Sequence, residues 1–223
     1  MMIYNETNNK IYLENTIMKQ FFILLPFLAM TLVGCTPTTQ NNEPMQNDVI
    51  DAIMARRSIR QYEAMPVGRD TLMQIMTCGI NAANGQNKQS WEVRVVDNAA
   101  TIQQIQDLMV EGNPQLSAEM VRGCMRNAPV MTFIARDCSY DFSAYDCGLL
   151  AGNIMLAAQS LGVGSICLGS PVRFINDATN STEILTMLGF GEGYELSLCV
   201  GLGYANEIPA AKPRDINKVK FLD

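Results

Sequence analysis

The chain has 223 residues, 48% of them hydrophobic and 17% charged, a composition typical of a globular protein with one domain and a sizeable core. Its formal net charge of −6 argues against broad nucleic-acid binding, which requires a basic face, but it leaves room for a small anionic ligand. Histidine is absent from the sequence, which excludes Ser-His-Asp and Cys-His catalysis and every histidine-based metal site.

The N-terminal segment has the pattern of a bacterial export signal. In the stretch that begins at Met18, one lysine precedes a 13-residue apolar run from Phe21 to Val33, which suits a secretory signal better than a membrane-spanning helix. The small residues before Cys35 resemble the lipobox of bacterial lipoproteins, in which cleavage precedes a lipidated cysteine. The alternative is a buried amphipathic helix with a chance cysteine. The pattern predicts an exported protein, lipid-anchored at Cys35 to a bacterial membrane, with an upstream extension over 1–17, a signal peptide over 18–34, a polar tether over 35–46 and one folded domain over 47–223.

Within the folded domain, the first half of the chain alternates helical and extended patterns. A helix is predicted from an N-cap at Asn47 or Asp48 to Arg57, because apolar residues recur at helical spacing. After a break at Pro66 and Gly68, the patterns predict a helix over 68–83, a polar loop over 84–90, a strand over 91–97, and helices over about 99–111 and 115–124.

The second half begins with a buried strand predicted over 128–136. The most apolar helix follows over 143–162, and its small residues suit either the core or a dimer interface. A short strand from Gly164 is predicted to enter a Gly-Ser-Pro turn, and a helix over about 177–187 and a strand over 195–203 complete the core. The C-terminal tail is predicted to be an extended arm. Helices alternating with only four or five strands indicate an α+β fold.

Six cysteines lie in the folded domain, and none has the spacing of a metal or redox pair. Disulfides are one possibility for an exported protein. Because Cys147, Cys167 and Cys199 lie in apolar runs, the sequence instead favours mostly buried thiols.

Three polar clusters suggest a ligand site. The first, Arg56, Arg57, Ser58 and Arg60, falls where the first predicted helix ends, and it offers the donors that a dianionic phosphate accepts. The alternative is a solvated helix end, where the helix dipole favours one or two arginines. The second cluster is Lys212 with Arg214, and the third is the loop with Asn87 and Gln89, whose amides suit a planar heterocycle. Each of these also fits an ordinary polar surface or turn.

In this order, the clusters resemble motifs of the nitroreductase family of FMN-dependent oxidoreductases. The family's Arg-Arg/His-Ser-x-Arg/Lys signature is matched by residues 56–60, and its Asn-x-Gln-Pro-Trp loop by residues 87–91. Its Ala-rich helix ending in Leu-Gly-x-Gly-Ser is matched up to residues 161–165, and its C-terminal Lys/Arg-x-Arg by residues 212–214. The resemblance covers residues 46–223. It implies a nitroreductase-like fold, with a central, mostly antiparallel sheet flanked by helices, in a homodimer with an extended C-terminal arm.

The resemblance also implies FMN as the cofactor, bound at the homodimer interface. Its phosphate and ribityl chain are then expected to contact Arg56, Arg57, Ser58, Lys212 and Arg214, with Arg60 at the pyrimidine edge of the ring. Asn87 and Gln89 are expected at the isoalloxazine from the other subunit, and Leu168 and the backbone of Gly169 at flavin N5. No metal and no certain catalytic side chain are expected. Departures from the family pattern are Ser90 in place of proline, Leu168 where some members carry glutamate, and Ser170–Pro171 in place of a second glycine.

The implied reaction is a ping-pong oxidation and reduction at flavin N5, with NAD(P)H or an unknown donor and a small organic acceptor such as a nitroaromatic or a quinone. Lys88 or Arg60 is expected to stabilise charge at the N1–C2 edge. Because nicotinamide nucleotides are cytoplasmic, export raises alternatives: a membrane-tethered flavin-binding protein without turnover, or another flavin chemistry on the same fold. A thiol redox protein is a third hypothesis, which the unpaired cysteine spacing disfavours.

Overall fold

The computed structural model describes residues 47–222, and they contain a four-stranded, fully antiparallel sheet. The strand order is β1-β2-β4-β3, where β1 is Trp91–Val96, β2 is Val130–Asp137, β3 is Gly164–Leu168 and β4 is Tyr194–Gly203. The predicted α+β architecture with an antiparallel sheet is confirmed, with four strands. The predicted upstream extension, signal peptide, tether and lipidation at Cys35 lie outside the described residues.

Seven α-helices surround this sheet in the described part of the chain: α1 (Asp48–Ala55), α2 (Arg69–Ile80), α3 (Ala99–Glu111), α4 (Ala118–Gly123), α5 (Ser143–Ser160), α6 (Ser170–Asn176) and α7 (Ser181–Met187). Short 3₁₀ turns occur at Gly85–Asn87 and Ile216–Lys218. Asn47 is the N-cap of α1, because its side-chain oxygen accepts hydrogen bonds from the backbone amides of Val49 (3.0 Å) and Ile50 (3.4 Å). Over residues 47–222, no helix is both long and apolar enough to cross a membrane.

The two faces of the sheet carry separate cores, because neighbouring strand residues point to opposite faces. Phe133 of β2 packs on one face with Leu168 and with residues of α3, α4, α6 and α7. Ile134, the next residue, packs on the other face with residues of α2 and α5. The middle strands β2 and β4 are therefore covered on both sides, and the ends and edges of the sheet are left for function.

Near residue 170 one predicted element is wrong and another begins later than predicted. The predicted Gly-Ser-Pro turn is the start of helix α6, and the helix predicted over about 177–187 begins only at Ser181. Pro171 lies in the first turn of α6, where a helix needs no backbone amide donor from that residue. A proline that looked like a turn residue is thus compatible with a helix start.

The prediction of mostly buried thiols is confirmed in part. Cys124, Cys147 and Cys199 are buried, but Cys78, Cys138 and Cys167 are exposed, and none of these six forms a disulfide. Cys167 lies in an apolar run, yet it belongs to β3 at the edge of the sheet, where the strand is covered less completely.

Candidate functional site

The arginine-rich segment lies along the outer edge of β3. Ser58 forms a parallel bridge with Ser165, and the backbone amide of Ile59 donates to the carbonyl oxygen of Ser165 at 3.0 Å. Beyond this bridge the segment contacts the chain that follows β4: Tyr62 forms an antiparallel bridge with Ala205, and the backbone amides of Arg60 and Gln61 donate to Glu207. The structure thus places the beginning of the first predicted cluster beside β3, the strand that ends at Leu168.

The guanidinium groups of this segment bond to backbone carbonyls. Arg57 Nη1 donates to the carbonyl oxygens of Met54 (2.7 Å) and Arg56 (2.9 Å), and Arg60 Nη1 donates to that of Ser58 (3.0 Å). In residues 47–222, arginine–carboxylate ion pairs are formed by four other arginines, namely Arg69, Arg94, Arg122 and Arg136. The positive charges beside β3 therefore have no carboxylate side chain bound to their guanidinium groups, which suits them to an anionic ligand.

The end of β3 is open at Gly169. An added Cβ at Gly169 would meet no heavy atom within 4 Å, whereas Leu168 beside it is buried. Although Cys167 is exposed, partial desolvation by the surrounding protein raises the pKa of its thiol, and the positive charge of Arg56 opposes that rise. The backbone at Gly169 can thus be approached closely by a planar ligand whose anionic end lies at the arginines.

A cavity of about 490 Å³ adjoins the start of α6. It lies between Ser170 and Phe174 on one side and Met120, Cys124 and Arg126 on the other. Ser170 directly follows Gly169, so this cavity is next to the open end of β3. Sequence reasoning missed it, because α4 and α6 are distant in the chain.

The loop with Asn87 and Gln89 lies at the opposite edge of the sheet. It precedes β1, and three strand spacings of about 4.8 Å, or about 14 Å in all, separate β1 from β3. Asn87 (φ 54°) and Gln89 (φ 48°) are exposed and have left-handed backbones. Lys88 Nζ lies over the ring of Tyr140, 4.4 Å from its centroid. Within one chain, this loop and the arginine segment therefore lie at opposite edges of the sheet and do not form a single site.

Lys212 and Arg214 lie in the exposed segment that follows β4. Arg214 Nη1 donates to the carbonyl oxygens of Lys212 (3.2 Å) and Pro213 (3.3 Å). The structure shows no hydrogen bond between these two side chains and the arginine segment within residues 47–222. Their assignment to the phosphate remains a prediction.

Sequence reasoning also missed Glu207. Its Oε1 accepts hydrogen bonds from the backbone amides of Arg60 and, at 3.1 Å, Gln61. Burial raises the pKa of the neighbouring Tyr62, and the negative charge of Glu207 raises it further. No local sequence pattern indicates this contact, which joins residues 147 positions apart.

Comparison with known proteins identifies the family. The model of the nitroreductase family matches residues 53–204, a range that includes the arginine segment, the loop before β1 and all four strands. The chain belongs to the nitroreductase family. The matched range ends before Lys212 and Arg214. Among residues 47–222, no group of three or more Cys, Asp or Glu side chains is arranged to hold a metal ion.

Relatives within the family are similar over most of the chain. An NADPH-flavin oxidoreductase of Vibrio harveyi is 29% identical over 175 residues, which are 75% of this chain and 70% of that protein. A nitroreductase of Desulfitobacterium hafniense, crystallised with bound FMN, is 29% identical with a TM-score of 0.72, covering 80% of this chain and all of that one. A nitroreductase of Bacteroides fragilis with bound FMN has the same fold, with 23% identity, a TM-score of 0.72 and the same two coverages.

Proposed function

We propose that this protein is an FMN-dependent oxidoreductase that passes electrons from a reduced donor to a small organic acceptor. The observation that carries the proposal is the set of arginines beside β3 whose guanidinium groups have no carboxylate partner within residues 47–222, together with the open backbone of Gly169 at the end of that strand. The flavoproteins among its relatives support it: the Vibrio harveyi protein is named an NADPH-flavin oxidoreductase, and the Desulfitobacterium hafniense nitroreductase contains FMN.

The residues present fit an FMN phosphate. A phosphate monoester carries a charge of about −2 at neutral pH and accepts several hydrogen bonds. Arg56, Arg57 and the Ser58 hydroxyl supply donors and charge on one side, and Lys212 and Arg214 supply charge from the C-terminal segment. Without an anion, the positive charges of this segment repel one another. A bound phosphate would offset this repulsion more than water does.

Bound FMN supplies the redox chemistry, accepting and releasing a hydride equivalent at N5. The chain's own residues bind and orient the ring. The open backbone at Gly169 lets the ring approach, and the buried Leu168 supports the strand end from beneath. Arg60, two residues after Ser58, is the cation that we propose to stabilise negative charge on the pyrimidine edge.

A homodimer would complete the site, because the two predicted halves lie at opposite edges of one sheet. Two neighbouring helices support such a dimer. The large apolar side chains of α1 are at least half exposed, and α5, which packs against α1, exposes Tyr145 (70%) and Leu149 (51%). Gly148 and Gly152 on the same face of α5 have open space beside them, so a second helix can approach closely. We propose that this surface pairs with its copy and that Asn87 and Gln89 thereby reach the other subunit's flavin.

NADPH is the donor that the name of the Vibrio harveyi relative suggests, and small planar acceptors such as quinones or nitroaromatics suit the cavity beside Ser170. We further propose export and lipid anchoring at Cys35, from the apolar run and the residues before that cysteine. In that location the donor is NAD(P)H or another reductant. The second candidate is a tethered flavin-binding protein without turnover. Its only support is the proposed export, which would separate the protein from cytoplasmic nicotinamide nucleotides.

An absorption spectrum of the purified protein tests the proposal. We expect a yellow protein with one FMN per chain, released by denaturation, and bleaching of the flavin band under anaerobic titration with NADH or NADPH. A colourless protein that takes up no added FMN would refute the cofactor. Flavin that binds but is reduced neither by nicotinamide nucleotides nor by reduced quinones would favour the candidate without turnover.

A further inference from the structure

Glu207 connects the arginine segment to the beginning of the C-terminal segment. Its carboxylate oxygen Oε1 accepts hydrogen bonds from two consecutive backbone amides, those of Arg60 and Gln61. A carboxylate that binds two amides forms charge-assisted hydrogen bonds, which are stronger than neutral ones. This side chain therefore holds the backbone on which Arg60 stands.

Backbone hydrogen bonds flank this contact on both sides. The amide of Asn206 donates to the carbonyl oxygen of Gln61 at 2.9 Å, and the amide of Glu63 donates to that of Tyr204, also at 2.9 Å. Tyr62 and Ala205 form an antiparallel bridge between them. After Glu207 the chain is exposed and has no further strand up to residue 222. Glu207 is thus the last side chain that fixes the two segments together before the chain reaches Lys212 and Arg214.

We propose that Glu207 is a positioning residue for the flavin site. It fixes the backbone of Arg60 and Gln61 and sets the direction in which the segment bearing Lys212 and Arg214 leaves the sheet. The inference rests on the proposed function, since it assumes that FMN occupies this site. The Glu207 carboxylate carries a negative charge that by itself would oppose phosphate binding. The proposed positioning role accounts for its presence beside the arginine segment.

Two substitutions separate the contact from the charge. Glu207→Gln removes the negative charge and keeps an oxygen that accepts the amide hydrogen bonds. Glu207→Ala removes both. If Glu207 acts through position, the Ala variant binds FMN about tenfold more weakly than the Gln variant, which is the usual size of effect for such hydrogen bonds. The Gln variant binds FMN at least as tightly as the wild-type protein, because one repulsive charge is gone.

Glu63→Ala is the matched control. It removes a carboxylate from the same segment, and within residues 47–222 the Glu63 side chain forms no ion pair. Fluorescence titration of apoprotein with FMN measures the affinities. Hydrogen–deuterium exchange without FMN measures the protection of the Arg60 and Gln61 amides, which we expect to fall in the Glu207→Ala variant and to persist in the Glu63→Ala variant.

The outcomes are distinguishable. Equal FMN affinities of the Ala and Gln variants, or unchanged amide protection in the Ala variant, overturn the role of Glu207. If the wild-type protein binds no FMN, the proposed function fails, and the amide exchange then decides by itself whether Glu207 holds the segment. Melting temperatures of both variants near that of wild type show that the loss of affinity is not a loss of folding.

Discussion

The buried hydroxyl of Ser90 donates a 2.7 Å hydrogen bond to the carboxylate of Asp146. The other carboxylate oxygen accepts the backbone amide of Gly85 at 2.9 Å. Asp146 lies in the first turn of α5, so one buried side chain ties both ends of the loop before β1 to that helix. Ser90 departs from the proline of the family motif, and the structure gives its hydroxyl a partner that proline lacks.

This contact predicts a large effect on stability. Asp146→Ala leaves the buried Ser90 hydroxyl and the Gly85 amide without their acceptor, and we expect the free energy of unfolding to fall by about 2–3 kcal/mol. Asp141→Ala, an exposed aspartate before the same helix, is the control and changes little. Urea denaturation followed by circular dichroism measures both. Equal stability of the two variants contradicts the prediction.

Arg56→Ala weakens FMN binding by about 10- to 100-fold, which corresponds to about 1.5–3 kcal/mol for a hydrogen bond to a charged group. Arg69→Ala removes the same charge at a distant position, where Arg69 pairs with Asp97 on the surface, and FMN affinity stays at the wild-type value. Flavin fluorescence titration compares the two. If Arg56→Ala keeps wild-type affinity, the segment beside β3 does not bind the phosphate.

Leu149→Arg places a charge on the exposed face of α5 and is expected to convert a dimer into monomers, because a buried unpaired charge is strongly unfavourable at an apolar interface. FMN is lost together with dimerisation, since the loop of the other subunit no longer reaches it. Met73→Arg alters an even more exposed apolar residue on α2 and leaves both properties intact. Light scattering and flavin content are measured on the same samples. A Leu149→Arg variant that is dimeric with full flavin content refutes the proposed interface.

The buried thiols make the fold sensitive to alkaline pH. Burial raises the pKa of Cys124 to about 12 and that of Cys147 to about 11, and it raises the pKa of Cys199 well above its ordinary value. In the unfolded chain these thiols lose their protons from about pH 8.5 upward, so the folded state then binds more protons than the unfolded state. The contribution of these thiols to the free energy of unfolding is therefore constant below about pH 8 and falls from about pH 9 to pH 11.

Urea unfolding with a reductant present, repeated across that pH range, measures the fall. Cys147→Ala makes the pH dependence shallower, whereas Cys78→Ala, which replaces an exposed thiol, leaves it unchanged. Tyr62, whose pKa burial also raises, contributes to the fall above about pH 10. Stability that stays constant up to about pH 11 contradicts the prediction.

Much of the fold was predictable, because hydrophobic periodicity depends on local spacing. The helix of α5 and the strands β2 and β4 follow from long apolar patterns, and their existence is confirmed. The helix start at Ser170 was missed because glycine, serine and proline also favour turns, and packing of Phe174 and Ile175 into the core decides for the helix. The exposure of Cys167 was missed because burial at a sheet edge depends on strand order.

The sequence by itself determined the family motifs and the presence of three arginines beside one serine, because residue identity and spacing along the chain are sufficient to recognise them. Only the tertiary structure decided that this segment lies along β3, that Asn87 and Gln89 lie at the opposite edge, and that Glu207 holds Arg60. These relationships join segments far apart in the chain. They depend on strand order and backbone pairing, which arise from the packing of the whole domain and leave no local pattern in the sequence.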